Sequence, residues 1–205
     1  VPHPSGLAAP CIVIETDGKD EWCELTPHPE YKQLDPSELR NLIRDAGIVG
    51  LGGAGFPSFI KLNPGGHTAI DTLLLNGAEC EPYITADHRM MLEKAEEIVE
   101  GAKILLKILG IEACAIGIES NKPDAISVMK AAVEKLQEPG FKIGVETLTV
   151  KYPQGSEKQL IQAITGRKEP AMALPSAVGV VVHNVSTTKA VYDAVVLSKP
   201  LIEKV

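Results

Sequence analysis

Four of the six residues from Gly50 to Gly55 are glycine (Gly50, Gly52, Gly53 and Gly55, with Leu51 and Ala54 between them), and Phe56 and Pro57 follow. A backbone so bare of side chains can turn its N–H groups onto an anion such as a phosphate, and a helix starting at Pro57 would add the positive end of its dipole. The spacing also satisfies GxGxxG, but the dinucleotide fingerprint needs a strand before the loop, and a helix precedes this one. A tight turn explains the glycines equally well. Lys61, one turn further on, has the reach to bring a point charge to a phosphate; alone it reads as a solvated surface lysine.

Three other segments carry chemistry. Asn76, Gly77, Ala78, Glu79, Cys80, Glu81 and Pro82 follow an apolar run, and the Glu79 and Glu81 carboxylates can accept hydrogen bonds from ribose hydroxyls or an amide. A polar turn is the plain alternative, and Cys80, with no legible base, reads as a half-buried thiol. Tyr152, Pro153, Gln154, Gly155, Ser156 and Glu157 form a strand-to-helix turn in which Gly155 permits close backbone approach and Ser156 can cap a helix. Val182, His183, Asn184, Val185, Ser186, Thr187 and Thr188 end an apolar strand and open a helix with hydroxyls. Asn184 can read the edge of a heterocycle, and His183 is as readily a satisfied, half-buried histidine as a functional one. The five histidines assemble no acid–base pair, catalytic triad or metal set.

The elements that must position these segments are legible in the pattern. Asp35, Pro36 and Glu38 make a capping box at the start of a helix with Leu39, Leu42, Ile43 and Ala46 on its apolar face and Gly47 at its end. Strands are expected over 72–76, 113–118, 143–150 and 178–183. Helices are expected over 57–62, 86–109, 124–136, 156–164 and 186–196, and residues 11–15 alternate as a short strand would. Strands alternating with helices give an α/β, Rossmann-like, mostly parallel sheet flanked by helices, with the glycine-rich loop as its nucleotide-binding loop. All four segments then lie at helix starts on one side of the sheet, where ligands gather. That placement suits a phosphate-bearing heterocycle, a flavin or a dinucleotide, whose own chemistry the protein would orient.

Composition agrees. The 205 residues are 44% hydrophobic and 23% charged, within the range of folded globular domains. Aromatics are only 4%, which leaves the core to aliphatic side chains, as in a buried parallel sheet. A net charge of −7, with no basic cluster, excludes an electrostatic footprint for nucleic acid. No apolar run approaches the ~20 residues of a spanning helix. Cys11, Cys23, Cys80 and Cys114 lack the spacing of a zinc or iron–sulfur site, and reduced thiols in a cytoplasmic setting are expected. The chain opens on Val1, Pro2, His3 and Pro4 without Met, as a piece of a longer protein would.

In this order, GLGGAGFP with Lys61, NGAECEP, YPQGSE and VHNVST resemble the C subunit of Rnf-type electron transport complexes (RnfC, also called RsxC). They are more distantly similar to the FMN- and NADH-binding subunit of respiratory complex I, which reads approximately GRGGAGFP…K, NADESEP, YxCGEE and VNNVET. The opening VPHPSGLAAP resembles the segment that follows RnfC's barrel-like domain. The resemblance implies that Gly50, Gly52, Gly53, Ala54 and Gly55 wrap FMN and the dinucleotide and that Lys61 meets the FMN phosphate. Phe56 would stack on the nucleotide. Asn76, Glu79 and Cys80 would contact flavin, and Glu81 would face NADH. Tyr152, Gly155 and Ser156 fall on the flavin side, Glu157 matches a carboxylate near the nicotinamide, and Val182, His183, Asn184 and Thr187 complete the pocket. Leu51, Ala78, Ser156 and His183 stand where complex I has arginine, an acid, a second acid and asparagine, so the pocket is thinner in charge.

The implied division is residues 1–30 as an irregular segment left from a barrel-like domain, 31–198 as the FMN/NADH-binding-like domain and 199–205 as the start of a linker. The implied function is an oxidoreductase core exchanging electrons between NAD(H) and iron–sulfur clusters. It would work in a membrane ferredoxin:NAD complex coupled to ion translocation. The cofactors are FMN and NAD(H), with [4Fe–4S] clusters in a downstream region outside this chain, so the piece alone would not pass electrons on. Partners would be the other subunits, at the cytoplasmic face of the inner membrane, with no span of its own. The alternatives are a related soluble cobalamin reductase and a structural docking module that binds no flavin.

Overall fold

The computed structural model describes residues 13–19, 21–64 and 69–202. Four strands, β1 (Thr72–Gly77), β2 (Ala113–Glu119), β3 (Lys142–Leu148) and β4 (Val180–Asn184), pair in the order β3-β2-β1-β4 with every pairing parallel. Seven helices accompany them among the described residues: α1 (Pro36–Asp45), α2 (Ser58–Lys61), α3 (Ala86–Glu93), α4 (Ala95–Leu109), α5 (Pro123–Lys135), α6 (Glu157–Thr165) and α7 (Val185–Val196).

Side chains alternate across the strands, and the two faces bury different partners. Leu73, Leu75, Cys114, Ile116, Ile118 and Val181 join one core with buried residues of α1, α3, α4, α5 and α7. Leu74, Leu148, Val180 and Val182 form a smaller core with Leu160 and Ile161 of α6. α1 starts with the expected capping box: Asp35 accepts from Ser37 and Glu38 N–H, and Glu38 reaches back to Asp35 N–H.

Three expectations need correction. The helix read over 86–109 is two, because Lys94 adopts φ −133° and breaks it; apolar spacing continues through a break that it cannot report. The helix after Pro57 is one turn of four residues, too short for an appreciable dipole. The strand over 11–15 does not form at residues 13–15, and residues 11 and 12 lie outside the described residues. Residues 13–19 and 21–30 carry no helix or strand, and a His28 N–H bond to Val196 O ties their end to α7. Residues 1–12 and 203–205, which hold the opening motif and the linker's end, also lie outside the described residues.

α4 and α7 touch backbone to backbone. A Cβ placed on Gly101 would stand 2.2 Å from the Thr188 carbonyl oxygen. Alanine in mid-helix ordinarily improves on glycine by about 1 kcal/mol, but here the added methyl must push the helices apart. Gly101→Ala is therefore expected to destabilise by about 1–3 kcal/mol in urea unfolding; stability equal to or above wild type would contradict the close crossing.

Candidate functional site

After β1 the chain adds β2 and β3 on one side, then returns to place β4 on the other. The strand order therefore reverses between β1 and β4, where an open α/β sheet leaves a crevice at the strands' carboxyl ends. Asn76 and Asn184 are partnered positions at those ends.

The glycine loop hangs over this crevice. An isolated bridge between Val49 and Pro57 pinches its base. Gly50 N–H donates to Phe56 O (2.9 Å), Gly55 N–H to Gly50 O (3.2 Å) and Ser58 N–H to Ile48 O (3.0 Å). Leu51 N–H donates to Thr187 Oγ1 at 2.8 Å, which docks the loop on α7. Gly52 lies against Asn184, whose Cβ would be 3.4 Å from a Cβ at position 52. Gly53 and Gly55 take φ +107° and +61° and face open space, conformations that glycine alone adopts freely. Among the described residues, the N–H groups of Gly52, Gly53 and Ala54 meet no backbone acceptor.

A cleft of about 370 Å³ opens beneath the loop, a volume within the usual range for ligand sites. Of the expected residues, Gly50, Gly52, Ala54, Phe56, Lys61, Asn76, Gly155, Glu157, Val182, His183, Asn184 and Thr187 line it, and the buried Ser58, which no sequence pattern marks, joins them. Glu79, Cys80 and Glu81, from the segment after β1, and Tyr152, from the segment after β3, line a separate cavity of about 390 Å³ instead. A further apolar lobe of about 250 Å³, walled by Ile60, Leu174 and Pro175, shares Phe56, Lys61, Glu157 and Val182 with the main cleft.

Several expected ligand groups are already engaged. Asn76 Nδ2 donates to Gly155 O (2.8 Å), its Oδ1 accepts from Ala78 N–H (3.1 Å), and Cys80 Sγ accepts from Gly155 N–H (3.3 Å). These bonds splice two turns together, and Gly155 is required there because a Cβ would stand 2.3 Å from Ala78 O. The buried Glu79 carboxylate accepts from Asp87 and His88 N–H (2.9 and 3.2 Å) at the start of α3. Ser156 stands at the N-cap of α6 but its side chain makes no capping bond. Asn184 caps α7 by accepting from Thr187 N–H (3.1 Å) and donates Nδ2 to Asp87 Oδ2 (2.6 Å), while Ser186 donates to Asp87 Oδ1 (2.5 Å). Burial raises the Asp87 carboxyl above its ordinary value, against these hydrogen bonds. Asp87 joins α3 to α7 beneath the loop; its place in the first turn of a helix was its sole signal.

Lys61 and His183 are the basic side chains that line the cleft. Lys61 Nζ lies 3.2 Å from both Glu157 Oε2 and Val182 O, in the wall shared by the two lobes. His183 is 3% exposed, and neither ring nitrogen has a hydrogen-bond partner among the described residues. Burial, with Lys61 adding to it, lowers its pKa to about 3, which keeps the imidazole neutral. Of the two readings left open for His183, the satisfied, half-buried histidine does not describe this fully buried, unpartnered ring. Loop N–H groups that meet no backbone acceptor among the described residues, with a lysine at the wall, suit a ligand that brings a phosphate, as FMN does. Among the described residues no cluster of metal-ligating side chains occurs, and no helix is long and apolar enough to cross a membrane.

The family model of the Nuo51 FMN-binding domain matches residues 43–193, a span that holds all four segments. The chain belongs to that family. It is 50% identical over its full length to the C subunit of a proton-translocating ferredoxin:NAD(+) oxidoreductase complex of Clostridium ljungdahlii, covering 44% of that protein. It is 48% identical to the C subunits of ion-translocating oxidoreductase complexes of Serratia proteamaculans and Pseudomonas aeruginosa, covering 28% and 26% of them. The chain thus spans less than half the length of these curated relatives. An NAD+-reducing [NiFe]-hydrogenase, in its H2-reduced crystal structure, superposes with TM-score 0.70 at 24% identity, over 78% of this chain and 30% of that one. That likeness bears out the Rossmann-like α/β sheet; the family membership bears out the resemblance read from the four motifs.

His183 makes stability depend on pH. The unfolded imidazole takes up a proton near pH 6.5 and the folded one does not until about 3. Stability is therefore complete above 6.5 and falls as pH drops, by about 1 kcal/mol per pH unit. Urea unfolding from pH 7 to 5 is expected to show this slope in wild type and to lose most of it in His183→Gln.

Proposed function

We propose that this member of the Nuo51 family is the nucleotide-binding core of an ion-translocating oxidoreductase subunit. It would hold FMN under the glycine loop and take NAD(H) into the adjoining apolar lobe. The observation that carries this reading is the meeting of four separate segments at the β1–β4 reversal, where unbonded loop N–H groups and Lys61 share one cleft.

Bound flavin supplies the hydride and electron chemistry. The chain's own part is binding and orientation. Gly52, Gly53 and Ala54 would donate main-chain N–H groups to the phosphate, and Lys61 would add a charge to it. Thr187 holds the loop in place through Leu51 N–H, and Asn76 and Asn184 fix the cleft's floor by bonding to protein. Phe56, 43% exposed between the lobes, offers an aromatic face to a second ring. His183 stays neutral, so it leaves the floor uncharged. Electrons would continue to [4Fe–4S] clusters outside this chain and to partner subunits at the cytoplasmic side of a membrane, with ferredoxin as the other redox partner. Alone, the chain would bind nucleotides without completing that transfer.

Titration of the purified chain with FMN, followed by flavin fluorescence, is expected to show saturable binding. Lys61→Ala should weaken it by about tenfold or more, since a hydrogen bond to a charged group is worth roughly 1.5–3 kcal/mol. Gly53→Val should weaken it as well, and anaerobic NADH should bleach the bound flavin. No binding of FMN or NADH by folded protein would overturn the proposal in favour of a docking module.

A further inference from the structure

The Lys61–Glu157 contact sits where the proposed ligand's phosphate would have to act. The pair spans 3.2 Å, and the two side chains are 36% and 38% exposed, so an incoming ligand can reach both. They are the one formally charged cation and the one carboxylate among the described residues lining the two lobes; His183, the remaining titratable group among them, is neutral. Paired, they cancel, and an anion entering the main cleft meets no net positive charge. Glu157 already occupies the ammonium as a phosphate oxygen would.

Glu157 is nevertheless not dependent on Lys61. It is the first residue of the nine-residue α6, where the helix end favours a negative charge, and Ser156 leaves the terminal N–H groups without a side-chain cap. Once the ammonium leaves, the carboxylate keeps a favourable local field. Lys61 also stays anchored while it exchanges the Glu157 carboxylate for a phosphate, because it donates to Val182 O at 3.2 Å.

We infer that Glu157 is a built-in rival for the anion at Lys61: a phosphomonoester binds by taking Lys61 from Glu157, which frees that carboxylate to accept hydrogen bonds from a second ligand in the apolar lobe. The inference rests on the proposed flavin phosphate at Lys61 and adds a sign to it. Glu157 opposes the first ligand and serves the second, so the two ligands bind with positive coupling, each raising the other's affinity by the same factor.

The test is a double-mutant cycle on the 205-residue chain, titrating FMN and riboflavin by flavin fluorescence, with thermal melts to verify folding. Glu157→Gln is expected to tighten FMN by about two- to fivefold, the size of a half-exposed ion pair, and to leave riboflavin unchanged. Lys61→Gln should weaken FMN, and adding Glu157→Gln to it should bring no further gain. Glu157→Gln weakening either ligand, leaving FMN unchanged or tightening it equally in the Lys61→Gln background overturns the rivalry. If Lys61→Gln weakens FMN while Glu157→Gln does not tighten it, the rivalry alone fails. If Lys61→Gln leaves FMN binding unaltered, the phosphate site at Lys61 fails and the rivalry with it.

Discussion

Everything at this site depends on two parallel strands ending side by side without a shared crossover. β1 and β4 are neighbours in the sheet but are separated in the chain by β2, β3 and their helices. The segments that leave them must diverge, and the gap is filled by side chains instead of by a connecting loop. Asn76 turns to Gly155 on one side, and Asn184 turns to Asp87 on the other. The cleft has a floor because these two amides are bonded to protein. The same bonds explain why residues that look like ligand groups contribute chiefly shape.

The polar groups under the cleft divide into those with partners and those without. Asp87 is half-buried with two donors, and Lys122 is buried between Glu79 O and Glu119 Oε2. Those networks fix the turn after β1 and the start of α3. His183 has no hydrogen-bond partner among the described residues, which is rare for a buried imidazole and carries a desolvation cost. Stability has been given up at one point of the floor, beside the one lysine that lines the cleft among the described residues.

The alternation of apolar runs with helical spacing made the parallel sheet legible, and the capping box at Asp35 and the terminal glycines marked helix ends to within a residue or two. The break at Lys94 was illegible because both halves of the helix present an apolar face to the same core, so periodicity runs on through the interruption. At the site, the types of residue announced themselves and their directions did not. Glu79 and Cys80 stand only three and four positions beyond Asn76, yet they turn into another cavity, since a tight turn leaves the strand's two-residue alternation behind. Asp87 and Ser58 were invisible because a helix-start aspartate and a lone serine carry no pattern of their own. The ion pair between Lys61 and Glu157 joins residues 96 positions apart, a distance at which a single sequence holds no information on contact.

β4 is an outer strand, and a main-chain carbonyl of that strand, at Val182, is met by the Lys61 ammonium. An unpartnered strand edge invites another chain to add itself, and a lysine laid along it is a common guard against such growth. Here the guard is also the cation of the proposed nucleotide cleft. Selection for ligand affinity at position 61 and selection against intermolecular strand pairing therefore act on the same side chain. A change that improved one property at the expense of the ammonium would leave the sheet's border unprotected.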